Sequence, residues 1–498
     1  MQNIMTGKVW LRRLAVILMA VTVVLAVFLS FLISDVYFGI PFLPKADGSA
    51  LVYAFPEGIE SSETCKVTVN GQDSFVYETM VNFRRQSPSG NAQDVLEREA
   101  TPITSFDMDG SVKIEVTLPD QQIESAKVTP QAMGITPSVS GDKVTFIIEE
   151  PGQYTVEFND SQHGALHIFA NPFEENVPSP DDPNVIYVGP GVYRYDQIRL
   201  ESNQTLYLAG NAIVYGYISS GDTENITVCG RGYFDGSIYP RYQEDGVTGN
   251  QKVPIDLANC TNVTISGIAC LDPSGWAYNL YKCNDVKIDN VKIITSRQNG
   301  DGISVQSCDN VTVTNSFART WDDSLVVKAY EGNTTNIFFS NCIIWSDLAQ
   351  CCEVGYETRG DIMDNIWFRD ITVLHANHKA VVSLHCGDHA TVSNVHYENI
   401  VVEDMNSQGD GSNFLIDLLV EDSIWSKEAE RGEIDGVYIK NVKIIGGTFA
   451  ASRIRGYSSA NKVKNVYIED VEILGTKITD FQTGVFVTNP YIENINFN

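Results

Sequence analysis

One short pattern, Asn-Val/Ile-x-Val/Ile-x-Asn/Asp, returns through the C-terminal half of this chain up to its last residue. Its first apolar position falls at Val263, Val286, Val311, Ile337, Ile366, Val395, Val437, Val466 and Ile495, in steps of 23, 25, 26, 29, 29, 42, 29 and 29 residues. A period in the twenties, made of short alternating strands, specifies a solenoid. Each repeat is one coil whose apolar face only its neighbours can bury. Val263-Thr-Ile265, Val286-Lys-Ile288, Val311-Thr-Val313, Ile337-Phe-Phe339 and Val466-Tyr-Ile468 alternate inward and outward residues, as half-buried strands do. Asn290, Asn315, Asn341, Asp370, Asn399, Asn441 and Asp470 close the pattern. Asn and Asp tolerate left-handed backbone and satisfy free backbone groups at turns. The expected fold is all-β, a right-handed parallel β-helix; propellers and sandwiches repeat at longer or less regular intervals.

Three segments are expected. Residues 14–33 carry no charge after a tip bearing Lys8, Arg12 and Arg13. That length crosses a hydrocarbon core with its basic side in the cytoplasm, so 1–40 reads as a cytoplasmic tip and transmembrane signal-anchor, a cleaved signal peptide being the alternative. On either reading the rest of the chain is extracellular. Residues 45–175 contain Lys66-Val-Thr-Val69, Val112-Lys-Ile-Glu-Val116, Val144-Thr-Phe-Ile-Ile148 and Tyr154-Thr-Val-Glu-Phe158 between turn residues, the texture of an antiparallel β-sandwich. A linker rich in proline and acid follows at 171–183. The cadence Ile186, Leu206, Ile226 then starts the coils near 184 and carries them to 498. Inserts at 234–257 and 404–434 exceed one coil and read as loops over one face.

The 63 acidic residues against 34 basic ones give a formal charge of −29, a field that repels nucleic acid and acidic polymers. Cys260, Cys283 and Cys308 fall in one register on successive coils, which suggests a buried ladder of small side chains instead of disulfides. No Cys/His cluster has zinc spacing, and neither a metal nor a cofactor is called for. Oligomeric state is not specified.

Two acidic sites share one context. Asn299-Gly-Asp301-Gly-Ile-Ser-Val305 lies in one coil and Trp321-Asp322-Asp323-Ser-Leu-Val-Val327 in the next. Asp301 and Asp323 thus begin equivalent strands on neighbouring coils, roughly 5 Å apart along the axis. Strict alternation turns them inward, so a bend at Gly302 is needed to bring Asp301 out. Carboxylates gathered at that spacing split their proton affinities, one staying protonated as a general acid while others accept protons, the division glycosidic cleavage requires. Turn residues at 322–323 and a bend cap at 301 are the structural alternative. Glu357 stands nine residues before its cassette, and His385 ten before the next, the offset of Asp301 from Val311. Lys328, Tyr330, Tyr356 and Arg359, together with Arg319 and Trp345, have the chemistry for sugar contacts by stacking and hydrogen bonding.

At these residues the chain resembles the β-helical glycoside hydrolases of the polygalacturonase and dextranase clan. That clan is marked by (Asn/Gln)-Thr-Asp-Gly followed about twenty residues later by Asp-Asp. Here Asn299-Gly-Asp301-Gly302 precedes Asp322-Asp323, with Gly300 in the place of Thr. The polygalacturonase Gly-His-Gly is replaced by Val354-Gly355-Tyr356-Glu357, and the nearest Arg-Ile-Lys lookalike is Arg453-Ile454-Arg455. Asp322-Asp323-Ser-Leu-Val-Val-Lys328-Ala-Tyr330 and Gly355-Tyr-Glu-Thr-Arg-Gly-Asp361 are similar to the dextranase branch. The resemblance implies an inverting hydrolase of a neutral, dextran-like glycan, with Asp322 as general acid and Asp301 and Asp323 holding and deprotonating water. It also implies substrate contacts from Glu357, Lys328, Tyr356, Arg359 and His385. A pectin-type polygalacturonase, a non-catalytic glycan-binding wall and a calcium-dependent uronate lyase remain as alternatives.

Overall fold

The computed structural model describes residues 46–83, 98–119, 121–406 and 413–498. The apolar run at 14–33 lies outside them; among the described residues no helix is long and apolar enough to cross a membrane. Nearly everything described is strand, turn or bend.

The repeat cassette forms one continuous ladder of parallel strands. Val263 pairs with Val286, then Val311, Ile337, Ile366, Val395, Val437, Val466 and Ile495, each step one coil. These side chains, Ile495 at the end only partly, are buried in one core running the length of the coils, so each coil is completed by its neighbours, the arrangement of a parallel β-helix. Asn290, Asn315, Asn341, Asp370, Asn399, Asn441 and Asp470 all adopt positive φ. Their side chains hydrogen-bond from coil to coil: Asn341 donates to Asn315 at 2.6 Å and Asn441 to Asn399 at 2.9 Å. The early cadence needs correction. Ile186 pairs with Leu206 and Leu206 with Val228, while Ile226 pairs with Val263. A two-residue slip keeps the same side inward, so alternation could not reveal it.

All ten cysteines are free, and Cys260, Cys283 and Cys308 lie in the core as a ladder. Their thiols face backbone carbonyls; Cys283 Sγ lies 3.5 Å from Leu257 O and Cys308 Sγ 3.4 Å from Leu280 O.

Before the coils stand a six-stranded and a five-stranded sheet that share one apolar core. Pairing in them is antiparallel with one exception: Arg98–Asp109 and Ser161–Pro172 run parallel. These sheets pack on one outer face of the coils, formed by Lys292–Ile294, Phe317–Thr320 and Ile343–Ser346. Phe75, Tyr77 and Phe169 meet Tyr233, Phe317 and Trp345 there. Paired charges are buried beside them: Arg231 bonds Asp107 at 3.0 Å, and Arg297 and Arg98 share Asp272. Arg319, with no exposed surface, lies 3.2 Å from Asp347 and 3.9 Å above the Trp345 ring. Such pairs hold orientation more than they add stability, because desolvation offsets most of their attraction. Arg319 and Trp345, read from sequence as sugar contacts, therefore belong to this interface and not to a cleft. They sit on a different face of the coil from Asp301, a distinction set by how many residues each corner takes.

Candidate active site

A second ladder, on another outer face, carries the acids. Ile218, Ile255, Tyr278, Ile303, Leu325, Cys352, Val382 and Ile416 pair in succession and point into the core. Asp301 and Asp323 stand just before Ile303 and Leu325, in the bends that lead into these strands. There the coils approach closely. The Gly302 amide donates to Asp323 O at 2.8 Å and the Ile303 amide to Ser324 O at 3.0 Å. A Cβ on Gly302 would lie 2.3 Å from Ser324 O, so only glycine fits. Gly302→Ala is expected to force the two coils apart at Asp301, costing about 1–3 kcal/mol and lowering turnover. Thermal melts and activity assays on the same preparation would check both effects. Gly300 has a local reason as well: a Cβ there would lie 2.7 Å from Thr295 Oγ1, a hydroxyl that donates to Gly300 O at 2.5 Å. A threonine at 300 has no room.

The bend turns the Asp301 carboxylate outward, where Lys328 Nζ meets it at 3.2 Å. Lys328 rises from the outer side of Leu325–Ala329 and also lies 3.5 Å from Glu357. Tyr330 donates to Glu357 at 3.2 Å, and Arg359 Cζ lies 4.4 Å over the Tyr330 ring. Asp322 is half-buried; its Oδ1 accepts the Asp323 amide at 3.1 Å. Asp323 is buried and accepts the Gln350 amide, also at 3.1 Å. Gln350 Nε2 reaches the Tyr356 hydroxyl at 3.4 Å. Asp301 with Lys328, Glu357 and Arg359 forms one set and Asp322 and Asp323 with Tyr356 another, the two joined by the Gly302 amide on Asp323 O and by the mutual charge of the acids.

His385 is placed differently from its sequence reading as a cleft-wall residue. It has no exposed surface and lies beneath Tyr356, the two rings parallel with centroids 4.2 Å apart. Its Nδ1 meets Glu353 at 2.8 Å and its Nε2 meets Asp417 at 3.3 Å, while Arg453 grips Asp417 at 2.7 and 2.8 Å. Burial opposes a charge on His385, but Glu353 and Asp417 prevail and raise it to about 10. His385 is therefore an imidazolium holding up Tyr356 from below. Counting ten residues back from the cassette misplaced it because the turn at 387–390 lengthens that coil.

All three acids are held above the ordinary carboxylate range, chiefly by burial. Asp301 is pushed up to about 7, with Lys328 pulling against burial and Asp322 adding to it. Asp323 is raised further by the charges of Asp322, Asp301 and Glu353. Groups this close exchange protons as a unit, so the trio retains a proton where isolated carboxylates have none. With Asp301 and Asp323 buried and Asp322 half-buried, the protonated carboxyl of such a set can protonate one group while an ionised one takes a proton from another.

Two neighbours escaped the sequence reading. Trp276 stands ten residues before Val286, the offset of Asp301 from Val311, and so one coil before Asp301 on the same edge. The Ala277 amide donates to Asp301 O at 2.9 Å, and Lys328 Nζ lies 4.9 Å from the Trp276 ring. The repeat offset was the signal that could have found it. Arg241, in the insert after Tyr233–Asp235, donates to Gln298 O at 2.7 Å and to Asn299 Oδ1 at 2.6 Å. It clamps the insert against the residues leading into Asp301, and no local sequence signal marks it.

Comparison with known proteins fits this geometry. A probable exopolygalacturonase B of Aspergillus fumigatus is 29% identical over 206 residues, covering 37% of this chain and 44% of that protein. Exopolygalacturonase B of Aspergillus niger is 28% identical over 163 residues, 30% of this chain and 36% of that protein. The chain thus spans less than half the length of these curated relatives. The solved structure of Dex49A from Penicillium minioluteum superposes with a TM-score of 0.62 at 17% identity, covering 91% of this chain and 99% of that one, a likeness of fold. A family model described as glycosyl hydrolases family 28 matches residues 192–487. That span exceeds half the chain and contains both acid motifs, and on this ground the chain belongs to the glycosyl hydrolases of family 28.

Proposed function

We propose that this protein hydrolyses glycosidic bonds in a neutral polysaccharide or oligosaccharide, with inversion at the anomeric carbon. The observation that carries the proposal is the trio Asp301, Asp322 and Asp323, gathered with Lys328 in one wall and sharing raised proton affinity. Asp322, the most open of the three, delivers the proton to the departing oxygen. Asp301 and Asp323 hold and deprotonate the attacking water, for which an inverting enzyme needs carboxyls about 6.5–9.5 Å apart. Lys328, Glu357, Tyr356 and Arg359 contact the sugar or hold those that do, and His385 acts through Tyr356.

The neutral substrate is favoured by how Lys328, His385 and Arg453 are committed. Lys328 lies between Asp301 and Glu357, His385 between Glu353 and Asp417, and Arg453 on Asp417. A uronate carboxylate entering there meets acids whose partner cations are already engaged. Galacturonate polymers are the second reading, supported by the names of the curated relatives. Incubation with dextran, pullulan, galactan and polygalacturonate, with products separated by chromatography, distinguishes them. Release from polygalacturonate alone overturns the neutral reading, and release from none overturns hydrolysis of these glycans. The profile of kcat/KM against pH is expected to be a bell with its acidic limb near pH 7, because Asp301 must be ionised to act as base and is pushed up to about 7. An acidic limb near the ordinary carboxylate value of about 4 would count against a raised proton affinity at Asp301.

Three further readings complete the proposal. The coils wind right-handed, as parallel strand crossovers nearly always do. The chain divides at about 1–40, 45–175 and 184–498 into signal-anchor, β-sandwich and catalytic β-helix. The last two lie outside the cell, tethered or released depending on cleavage of the apolar segment; protease protection in intact cells would test this.

A further inference from the structure

We propose that Glu353 is a positioning residue for the reaction, acting through Asp323 from the next coil so that the proton of the attacking water settles on Asp323. This rests on the hydrolase reading and adds to it a charge behind the trio. On the acid-bearing sheet one outward column runs Ser304, Val326, Glu353, Ser383, Asp417 and Arg453, each paired with the next. Asp323, in the bend before Leu325, turns towards the coil of Glu353. Its Oδ1 accepts the Gln350 amide at 3.1 Å, and the Ser324 amide donates to Gln350 O at 2.9 Å. Glu353 follows Gln350 by three residues. Just beyond it Gly355 lets the next coil close in, since a Cβ there would lie 2.1 Å from His385 O. Tyr356 then covers His385, and its hydroxyl meets Gln350 Nε2 at 3.4 Å. The contacts from Asp323 through Gln350, Tyr356 and His385 thus return to Glu353, which has no exposed surface.

Supporting Tyr356 does not require a charge at 353. His385 Nδ1 donates to Glu353 Oε1 at 2.8 Å, a bond that a glutamine carbonyl would accept equally. Glu353 Oε2 is buried with no hydrogen-bond partner among the described residues. An orphaned carboxylate oxygen is costly, so its place here points to a use for the charge. That charge bears on Asp323. Asp301 has Lys328 at 3.2 Å drawing its proton affinity down, whereas at Asp323 the charge of Glu353 adds to those of Asp322 and Asp301 and outweighs Lys328. The Tyr356 and Tyr397 phenols and the Cys351 and Cys352 thiols nearby are pushed up by burial and carry no charge. Beyond His385, Arg453 neutralises Asp417. As the water oxygen bonds to the anomeric carbon, its proton passes to the Asp301–Asp323 pair and settles on Asp323. The bond to the departing oxygen breaks as that oxygen takes the proton of Asp322. The trio holds one proton before and after, first on Asp322 and then on Asp323.

Glu353→Gln keeps the bond to His385 and removes the charge, while Glu353→Asp keeps the charge and shortens the reach. Each is compared, in the full chain, with the unmodified protein in the pH profile of kcat/KM on whichever glycan of the panel is cut. In Glu353→Gln the acidic limb is expected to fall by about one pH unit and kcat about three- to tenfold. In Glu353→Asp the limb should stay in place. A residue that only supports Tyr356 gives the reverse, an unmoved limb in Glu353→Gln and lost turnover in Glu353→Asp, and that result overturns the proposal. Infrared titration of the carboxyl band that disappears in Asp323→Asn reads the Asp323 proton directly and without substrate. Its midpoint should lie above the ordinary carboxylate value of about 4 and fall in Glu353→Gln. A midpoint near that ordinary value in the unmodified chain overturns the proposal even if Glu353→Gln does not fold. A raised midpoint that falls in Glu353→Gln, in a chain that cuts no glycan, supports the action of Glu353 on Asp323 and counts against the hydrolase reading alone.

Discussion

Asp322→Asn should reduce turnover about 10²- to 10⁴-fold, the usual contribution of a positioned proton donor, while leaving the melting temperature unchanged or slightly higher. The two halves of this expectation have separate causes. An asparagine cannot deliver a proton to the leaving oxygen at any pH. Its side-chain carbonyl can still accept the Asp323 amide that Asp322 accepts at 3.1 Å, so the local backbone keeps its partner. One of three mutually repelling carboxylates also disappears. Because burial raises the affinity of all three for protons, their charged forms weigh against the fold. A group with raised folded pKa stabilises most below its unfolded value, and that contribution fades as pH rises through the folded value. The gain in melting temperature should therefore be larger at pH 8 than at pH 4. Reducing-end release and thermal melts at the two pH values are the measurements. Full turnover in this variant would end the catalytic assignment, and loss of turnover with collapse of the melt would make it a structural residue.

Lys328→Met is expected to cost about 3–5 kcal/mol of stability at pH 8, the usual consequence of removing one partner from a buried ion pair. Lys328 lies 3.2 Å from Asp301 and 3.5 Å from Glu357, and is itself 6% exposed. Burial disfavours its charge, but Asp301 and Glu357 more than compensate, so it stays protonated throughout the working range. Without it Asp301 loses the cation in contact with it that holds its proton affinity down, and the carboxyl takes up a proton instead of remaining as a bare buried charge. The penalty should accordingly shrink toward pH 5, where Asp301 can be protonated. The acidic limb of the activity profile should move upward as well. Urea titrations at pH 5 and pH 8 would read the first effect, and an unchanged midpoint at both would show that the ammonium is not compensating the acids.

The coil register was legible because burial enforces it. Every step of the Val263–Ile495 cassette appears in the structure as one rung, since a shift by one residue would turn each apolar side chain out to solvent. Shifts by two carry no such penalty, and the early coils slipped by two, Leu206 meeting Val228. The acid sites were legible for a related reason: Asp301 and Asp323 precede the same inward pair on adjacent coils, and Gly302 supplies the close approach that turns Asp301 outward. Counting failed where corners differ in length. The turn at 387–390 carried His385 beneath Tyr356, and the faces assigned to Arg319 and Trp345 were exchanged for the one under the N-terminal sheets. In those sheets, alternation identified strands but not direction, so the parallel pair Arg98–Asp109 with Ser161–Pro172 went unread.

Sequence alone determined that this chain coils, which residues each coil turns inward, and which two coils bring acidic side chains to one edge. Those properties follow from local alternation and from a repeat length that every coil must satisfy. Tertiary structure alone decided which outer face meets solvent and which is covered by the N-terminal sheets. It also decided that Lys328 is shared between Asp301 and Glu357, that His385 is enclosed by Glu353 and Asp417, and that an insert anchored by Arg241 borders the acids. Such contacts join residues from different coils through corners of unequal length, and no periodicity along the chain encodes where those corners place their neighbours.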